Sequence, residues 1–149
     1  MKQIVAIASS DKWDAGSAID VVELDAEDRH RRRVVLVGEQ GATYLLNLPK
    51  PVQLKDGDGL VLEDGGIVRV TGKTEKLIEI TASSKAGLVR LAWHIGNRHT
   101  DVQIVGEALR IRRDHVLEDM LRGLGATVTS VDAPFDPEPG AYHHDGHGS

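Results

Sequence analysis

Leu91–Glu118 reads LAWHIGNRHTDVQIVGEALRIRRDHVLE, and the order of elements within it decides the fold. Its first residues complete an apolar pattern, Leu88, Leu91, Ala92 and Ile95, at the i, i+3, i+4, i+7 spacing of one helix face. Gly96-Asn97 offers that helix a left-handed end, a conformation that glycine adopts without a Cβ clash. Val102–Val105 then reads as a strand, Gly106-Glu107 as a turn and Ala108–Ile111 as a second strand. Asp114 is placed to cap the next helix, because a carboxylate accepts from the free N–H groups of a first turn.

Working outward, Leu77, Ile78 and Ile80 make a strand upstream, and Ser83-Ser84 supplies an N-cap between it and the first helix. Downstream, Leu117, Met120, Leu121 and Leu124 form an apolar stripe, Gly125 closes it, and Thr127–Val131 is a last strand. The order β-α-β-β-α-β over residues 73–133 is the ferredoxin-like split arrangement. Pro134, Pro137, Pro139 and Gly140 then make residues 134–149 an extended, flexible, histidine-containing tail.

The first half is different in kind. Ile4–Ile7, Ile19–Leu24, Arg33–Val37 and Tyr44–Leu48 are short runs rich in Val, Ile and Leu. Asp14-Ala15-Gly16, Glu39-Gln40-Gly41 and Pro49-Lys50-Pro51 read as the turns between them. Asp64-Gly65-Gly66 between LVLE and IVRV is a hairpin signal. Residues 1–72 are therefore expected to form a small all-β domain, and the fold class is α+β. Arg29-His30-Arg31-Arg32-Arg33 serves either an acidic partner or a solvated strand entry balanced by Asp25, Glu27 and Asp28; the second is the commoner outcome, and His30 is read as a surface residue. Gly72-Lys73-Thr74 is no phosphate loop, because Ile67 stands where that motif needs its first glycine.

Composition narrows the function. The net charge of −5 and an aromatic content of 3% argue against nucleic acid, which needs basic surface and stacking platforms. Without cysteine, any metal must be held by histidine, carboxylate, backbone or water. The apolar patch at the N-terminus is too short for a secretory signal, and no run approaches a membrane span, so the cytoplasm is the expected location.

The chemistry sits in the histidines. His94, His99 and His115 each lie at the edge of an element, and Tyr142-His143-His144-Asp145-Gly146-His147 closes the sequence. Imidazole suits nickel, copper and zinc. His94 and His99 are five residues apart, so one helix cannot present both on one face as a metalloprotease motif does. A helix-end histidine can equally cap a carbonyl, and His94 is read that way. For His99 and His115 the spacing leaves both metal and structural roles open. His115, at the first helical position, is best placed there as a neutral imidazole, the form that ligates. The short tail cluster is either a weak metal-binding tract or plain polar tail. Three fixed ligands, which a catalytic metal site normally has, are not found.

Several stretches carry a resemblance: HIGNRH at 94–99, VQI at 102–104, GEALRIRRDHVLEDMLRGLGATV at 106–128, PFDPEPGAY at 134–142, and, in the first half, LKDGDGLVLEDGGIVRV at 54–70 with EKLIEI at 75–80. Over essentially its whole length the sequence resembles the urease accessory nickel metallochaperone family, UreE. The resemblance implies a peptide-binding first domain and a ferredoxin-like second domain that dimerises. It implies that His99 meets its copy at the two-fold axis and that the pair binds Ni(II) as cargo, with Zn(II) or Cu(II) as competitors in vitro. It places His115 at a peripheral site, where some members have a second histidine two residues earlier. Here that position is Arg113, which cannot ligate. His143, His144 and His147 would add ligands from the tail. The implied partners are a second copy, the urease accessory GTPase and the urease apoprotein complex, with no nucleic acid, no membrane and no catalysis. A metal-independent adaptor in urease maturation is the competing reading, and a metallohydrolase is the weakest.

Overall fold

Gly65, at φ +92°, turns the chain between two strands, β5 (Gly59–Leu62) and β6 (Ile67–Gly72). The left-handed conformation that this hairpin needs is open to glycine without strain. In this computed structural model, which describes residues 1–139, the chain divides into two compact units, Met1–Lys73 and a second unit starting at Thr74.

In the first unit the remaining strands are β1 (Lys2–Ala8), β2 (Asp20–Leu24), β3 (His30–Val37) and β4 (Thr43–Gln53). They form a curled six-stranded sheet in the order β2-β6-β5-β1-β4-β3. β1 runs parallel to β4 and antiparallel to β5, and β2 runs parallel to β6. The curl folds one face onto itself, so alternate residues such as Ile4, Val22, Leu36, Leu46, Leu60 and Val68 share one aliphatic core.

Three expectations for this unit change. Pro49-Lys50-Pro51 does not end a strand; it lies inside β4, opposite Arg32, where the register against β3 jumps from Arg33↔Asn47 to Arg31↔Val52. A bulge frees those residues from the ladder, which is where proline's missing N–H costs nothing. The arginine run is also not uniformly solvated. Arg29 is fully buried, its Nε donating to the Leu24 carbonyl at 3.2 Å and its Nη1 to the Leu54 carbonyl at 3.1 Å. A guanidinium with five donors can satisfy several turn carbonyls at once. His30, expected at the surface, is half-buried at the start of β3.

One buried polar pair ties β2 to β4. The Tyr44 hydroxyl donates to Asp20 Oδ2 at 2.6 Å, while the Val21 N–H donates to Asp20 Oδ1 at 2.8 Å. A Cβ at Gly38 would run into the same carboxylate. Burial, then the hydrogen bond and charge of Asp20, raise the Tyr44 pKa from 10.0 to about 12. Burial also works against the Asp20 carboxylate, but the donors from Tyr44, Val21, Gln40 and Glu39 outweigh it and hold its pKa below 3.8. Tyr44, raised in the folded state, contributes stability that is complete below pH 10 and lost as pH climbs toward about 12. Asp20, lowered in the folded state, contributes stability that is present above 3.8 and lost as pH falls through its folded value. Tyr44→Phe should cost about 1–3 kcal/mol at neutral pH by leaving a buried carboxylate oxygen without its donor. Urea melts across pH should also show that this variant has lost the alkaline decline.

The second unit is α+β. β7 (Thr74–Thr81), β8 (Gln103–Val105), β9 (Ala108–Arg112) and β10 (Thr127–Pro134) pair antiparallel in the order β10-β7-β9-β8. With α1 (Lys85–Asn97) after β7 and α2 (His115–Gly123) after β9, this is the ferredoxin-like βαββαβ topology. Ile78, Ile80, Leu109 and Ile111 on the sheet pack against Leu91 and Ile95 of α1 and Leu117 and Leu121 of α2. The expected caps hold both helices. Ser84 Oγ accepts from the Gly87 N–H at 3.0 Å, and Asp114 Oδ1 accepts from Val116 at 2.9 Å and Leu117 at 3.1 Å.

The chain does not leave this unit at residue 134. β10 includes Pro134, Phe135 is completely buried, and the Glu138 N–H donates to the Val102 carbonyl at 2.7 Å. Among the described residues no helix is long and apolar enough to cross a membrane. The tail histidines lie outside the described residues.

Candidate metal centre

α1 ends one turn later than its glycine suggested. Gly96 and Asn97 are still helical, and the left-handed residue is His99, at φ +56°. The His99 N–H donates to the Gly96 carbonyl at 3.0 Å, and the Thr100 N–H reaches back to Ile95 at 3.4 Å. These two bonds make a Schellman cap with histidine at the position usually given to glycine. α2 closes in the same way but conventionally. Gly125, at φ +91°, donates to Arg122, and Ala126 donates to Leu121, each at 3.0 Å. The chain thus holds an imidazole in a conformation that L-residues other than glycine seldom adopt, and such departures cluster at functional positions.

His99 is exposed, just beyond a helix face that is itself unusually apolar. Val89 is 68% exposed and Trp93 64%. Gly96, one turn on, leaves open space beside them. His94 is half-buried with its ring edge-on to Trp93, the centroids 5.0 Å apart, which suits the structural role read for it. His115 is exposed at the first position of α2. Nearby, the Arg113 guanidinium leans toward the buried Glu118, Nη2 to Oε1 at 4.0 Å, and Arg122 approaches the same oxygen at 3.9 Å. Arg113 is therefore drawn to a carboxylate, and it leaves a positive charge near His115.

The alternating strand directions bring three points to one end of the sheet: the end of α1, the start of α2 and the exit from β10. Arg112 joins them. Its Nε donates to Glu75 Oε1 and its Nη1 to Asp101 Oδ2, both at 3.2 Å, and its guanidinium lies 4.7 Å from the centre of the Phe135 ring. Asp101 is two residues from His99, and Val102, which receives the Glu138 N–H, is the next. Sequence reasoning missed this junction. The signal available was Phe135, the single phenylalanine in the chain, set among prolines.

Among the described residues, no three side chains of His, Asp or Glu converge as a metal-holding group. His99 and His115 belong to no such group of three. What the arrangement offers is two exposed imidazoles, of which His99 lies beyond the apolar Val89–Trp93 face.

Comparison with known proteins agrees with the resemblance seen in the sequence. Residues 1–72 match the family described as UreE urease accessory protein, N-terminal domain, and residues 75–149 match its C-terminal domain. A Urease accessory protein UreE of Rhodopseudomonas palustris (strain BisB18) is 51% identical over 142 residues, covering 95% of this chain and 67% of the relative. That of Bradyrhizobium sp. (strain BTAi1) is 49% identical over 147 residues, 99% and 71% of the two chains. That of Chelativorans sp. (strain BNC1) is 48% identical over 133 residues, 87% and 84%. With both domain descriptions matched in order and relatives near half-identical along the chain, it belongs to the UreE family of urease accessory proteins, which assist in making an enzyme and are not enzymes themselves.

Proposed function

We propose that the chain is a nickel carrier of the cytoplasm. It works as a homodimer whose two His99 imidazoles share one Ni(II) ion and hand it to the urease accessory GTPase and the urease apoprotein complex. The first unit would hold a partner, and the second would hold the metal and the partner copy. The observation that carries this reading is His99 itself, held in a strained cap at the end of the apolar Val89–Trp93 face. Apolar helix surface of that kind is buried when two copies meet, and symmetric pairs are the commonest oligomers. A two-fold axis near the end of α1 would set the two imidazoles face to face. Two imidazoles leave coordination positions open, so His143, His144 or His147 could complete the shell and then release it. That is the chemistry of delivery, in contrast to the three fixed ligands of a catalytic site. His115, beside Arg113, would at most hold a weaker ion.

Calorimetric nickel titration together with light-scattering mass tests this. The parent should be a dimer that takes one tight nickel per pair, with zinc and copper competing. His115→Ala should keep that ion, and deletion of residues 143–149 should lower affinity or stoichiometry in an intact dimer. A parent that binds no nickel would favour the metal-independent adaptor. A strictly monomeric parent at roughly tens of micromolar, with and without nickel, would end the shared-site reading, since a pair held by the metal forms when metal is supplied.

A further inference from the structure

The two ends of the first unit's sheet are treated differently. β2 is covered: the Glu39 N–H donates to the Val21 carbonyl at 2.9 Å, and the Lys73 N–H donates to the Leu24 carbonyl at 2.7 Å. β3, at the other end, pairs only with β4, and among the described residues nothing bonds to its outer edge from residue 31 to residue 37. Such an edge presents unpaired N–H and C=O groups, a ready template for another strand.

The side chains along it are sorted by chemistry. Leu36 points into the core, and its neighbours Val35 and Val37 point out, 50% and 64% exposed. Val35 stands opposite Leu45, which pairs in turn with Gln3, and on that same outer face Val5 is 60% exposed. The apolar strip therefore runs inward from the open edge. Toward the start of β3 the character turns basic. Arg31 reaches Asp28 at 3.4 Å, but Arg32 and Arg33 are exposed and meet no acidic side chain among the described residues, in a chain whose net charge is −5. Arg29 is not part of this surface, because its guanidinium is spent on Leu24 and Leu54.

We infer that the open edge of β3 receives an extended, acidic segment of a partner protein as an added strand. Its main chain pairs with residues 31–37, its apolar side chains lie on Val35 and Val37, and its carboxylates meet Arg32 and Arg33. This deepens the reading of the first unit as the partner-holding one, and rests on it. Main-chain pairing supplies affinity in this mode, and alternate side chains supply selectivity. A second copy of the chain is the poorer occupant, because antiparallel pairing of two β3 edges would set each arginine run against the other copy's Val35 and Val37 and bring no carboxylate to it. The charge that such self-pairing leaves unanswered is the charge that selects an acidic strand.

The test uses the full chain and three labelled peptides read by fluorescence anisotropy. One joins a valine-rich half to a glutamate-rich half, one joins a valine-rich half to a lysine-rich half, and one keeps the glutamates but carries prolines that block strand pairing. The glutamate peptide should bind, more weakly as salt rises, and should slow hydrogen exchange of β3 amides. Arg32→Glu with Arg33→Glu should weaken it by roughly tenfold and admit the lysine peptide. Equal binding of all three peptides would overturn the inference, as would binding unchanged in the double variant. So would concentration-dependent protection of β3 in the protein alone, which would mean that copies pair there. Nickel binding by the double variant should match the parent, so a failure here and a failure of the carrier reading appear in separate titrations.

Discussion

His99→Gly should give a protein that is more stable than the parent without metal and less stable than the parent with nickel. The metal-free gain comes from the backbone. His99 sits at φ +56° in the cap of α1, where α2 uses Gly125 at φ +91°. Relief of that strain is worth a few tenths to about 1 kcal/mol, after allowing for glycine's greater freedom in the unfolded chain. In a unit this small the gain raises the melting temperature by roughly a few degrees. The loss comes from the metal. In a two-fold site one substitution removes both imidazoles, so the tight nickel should vanish. The parent gains about 2.7 kcal/mol at a free nickel concentration one hundred times its dissociation constant, and the variant gains none of it. The two melting curves should therefore exchange order when nickel is added. His99→Ala separates the contributions, since it loses the ligand yet keeps a Cβ in the left-handed region. A glycine variant that melts below the parent in metal-free buffer would show that the cap is not strained. Parent-like nickel binding by either variant would place the tight site elsewhere.

Phe135→Ala should cost the most stability of any single change in the second unit. The ring is completely buried at the point where the chain turns back after β10, with the Arg112 guanidinium 4.7 Å from its centre. Its removal leaves a cavity beside the sheet, and Phe→Ala changes of this kind cost about 3–5 kcal/mol. Loss of the cation–π contact adds about 1 kcal/mol. Arg112 would then hold Glu75 and Asp101 over an empty space, and the bond from Glu138 to Val102 would lose its anchor. Hydrogen exchange should speed up for amides of β7 and β10 and stay unchanged for β5 and β6 in the first unit. A protease should cut within residues 135–139 in the variant and not in the parent. Phe135→Leu keeps most of the buried volume, and it should remain folded well enough for nickel titration to read what the loosened exit does to the metal. A Phe135→Ala variant within about 1 kcal/mol of the parent would mean that the ring is not a structural anchor.

What the sequence determined by itself is what depends on neighbours a few residues away. Ser84 and Asp114 cap their helices because a side-chain oxygen needs only the N–H groups of the next turn. Asp64-Gly65-Gly66 turns a hairpin because glycine tolerates φ +92° wherever it sits. The apolar periodicities set the order β-α-β-β-α-β, and connection rules leave that order few arrangements, of which the sheet β10-β7-β9-β8 is the one formed. The motif HIGNRH was legible too, as a family signature. The tertiary structure decided what depends on distant partners. Arg29 is buried because the Leu54 carbonyl, 25 residues away, needs a donor, so one residue of an apparently solvated basic run became part of the interior. Pro49 and Pro51 lie within a strand because β4 bulges there against β3. His99 took the left-handed position because the cap is set by where Ile95 and Thr100 close their bond, and a glycine at position 96 does not fix that. Phe135 is an anchor because Arg112, Glu75 and Asp101, far apart in the chain, meet on the side of the sheet that the helices leave open. A local pattern cannot encode such contacts, since each is stabilised only after the chain has closed the loops that bring its members together.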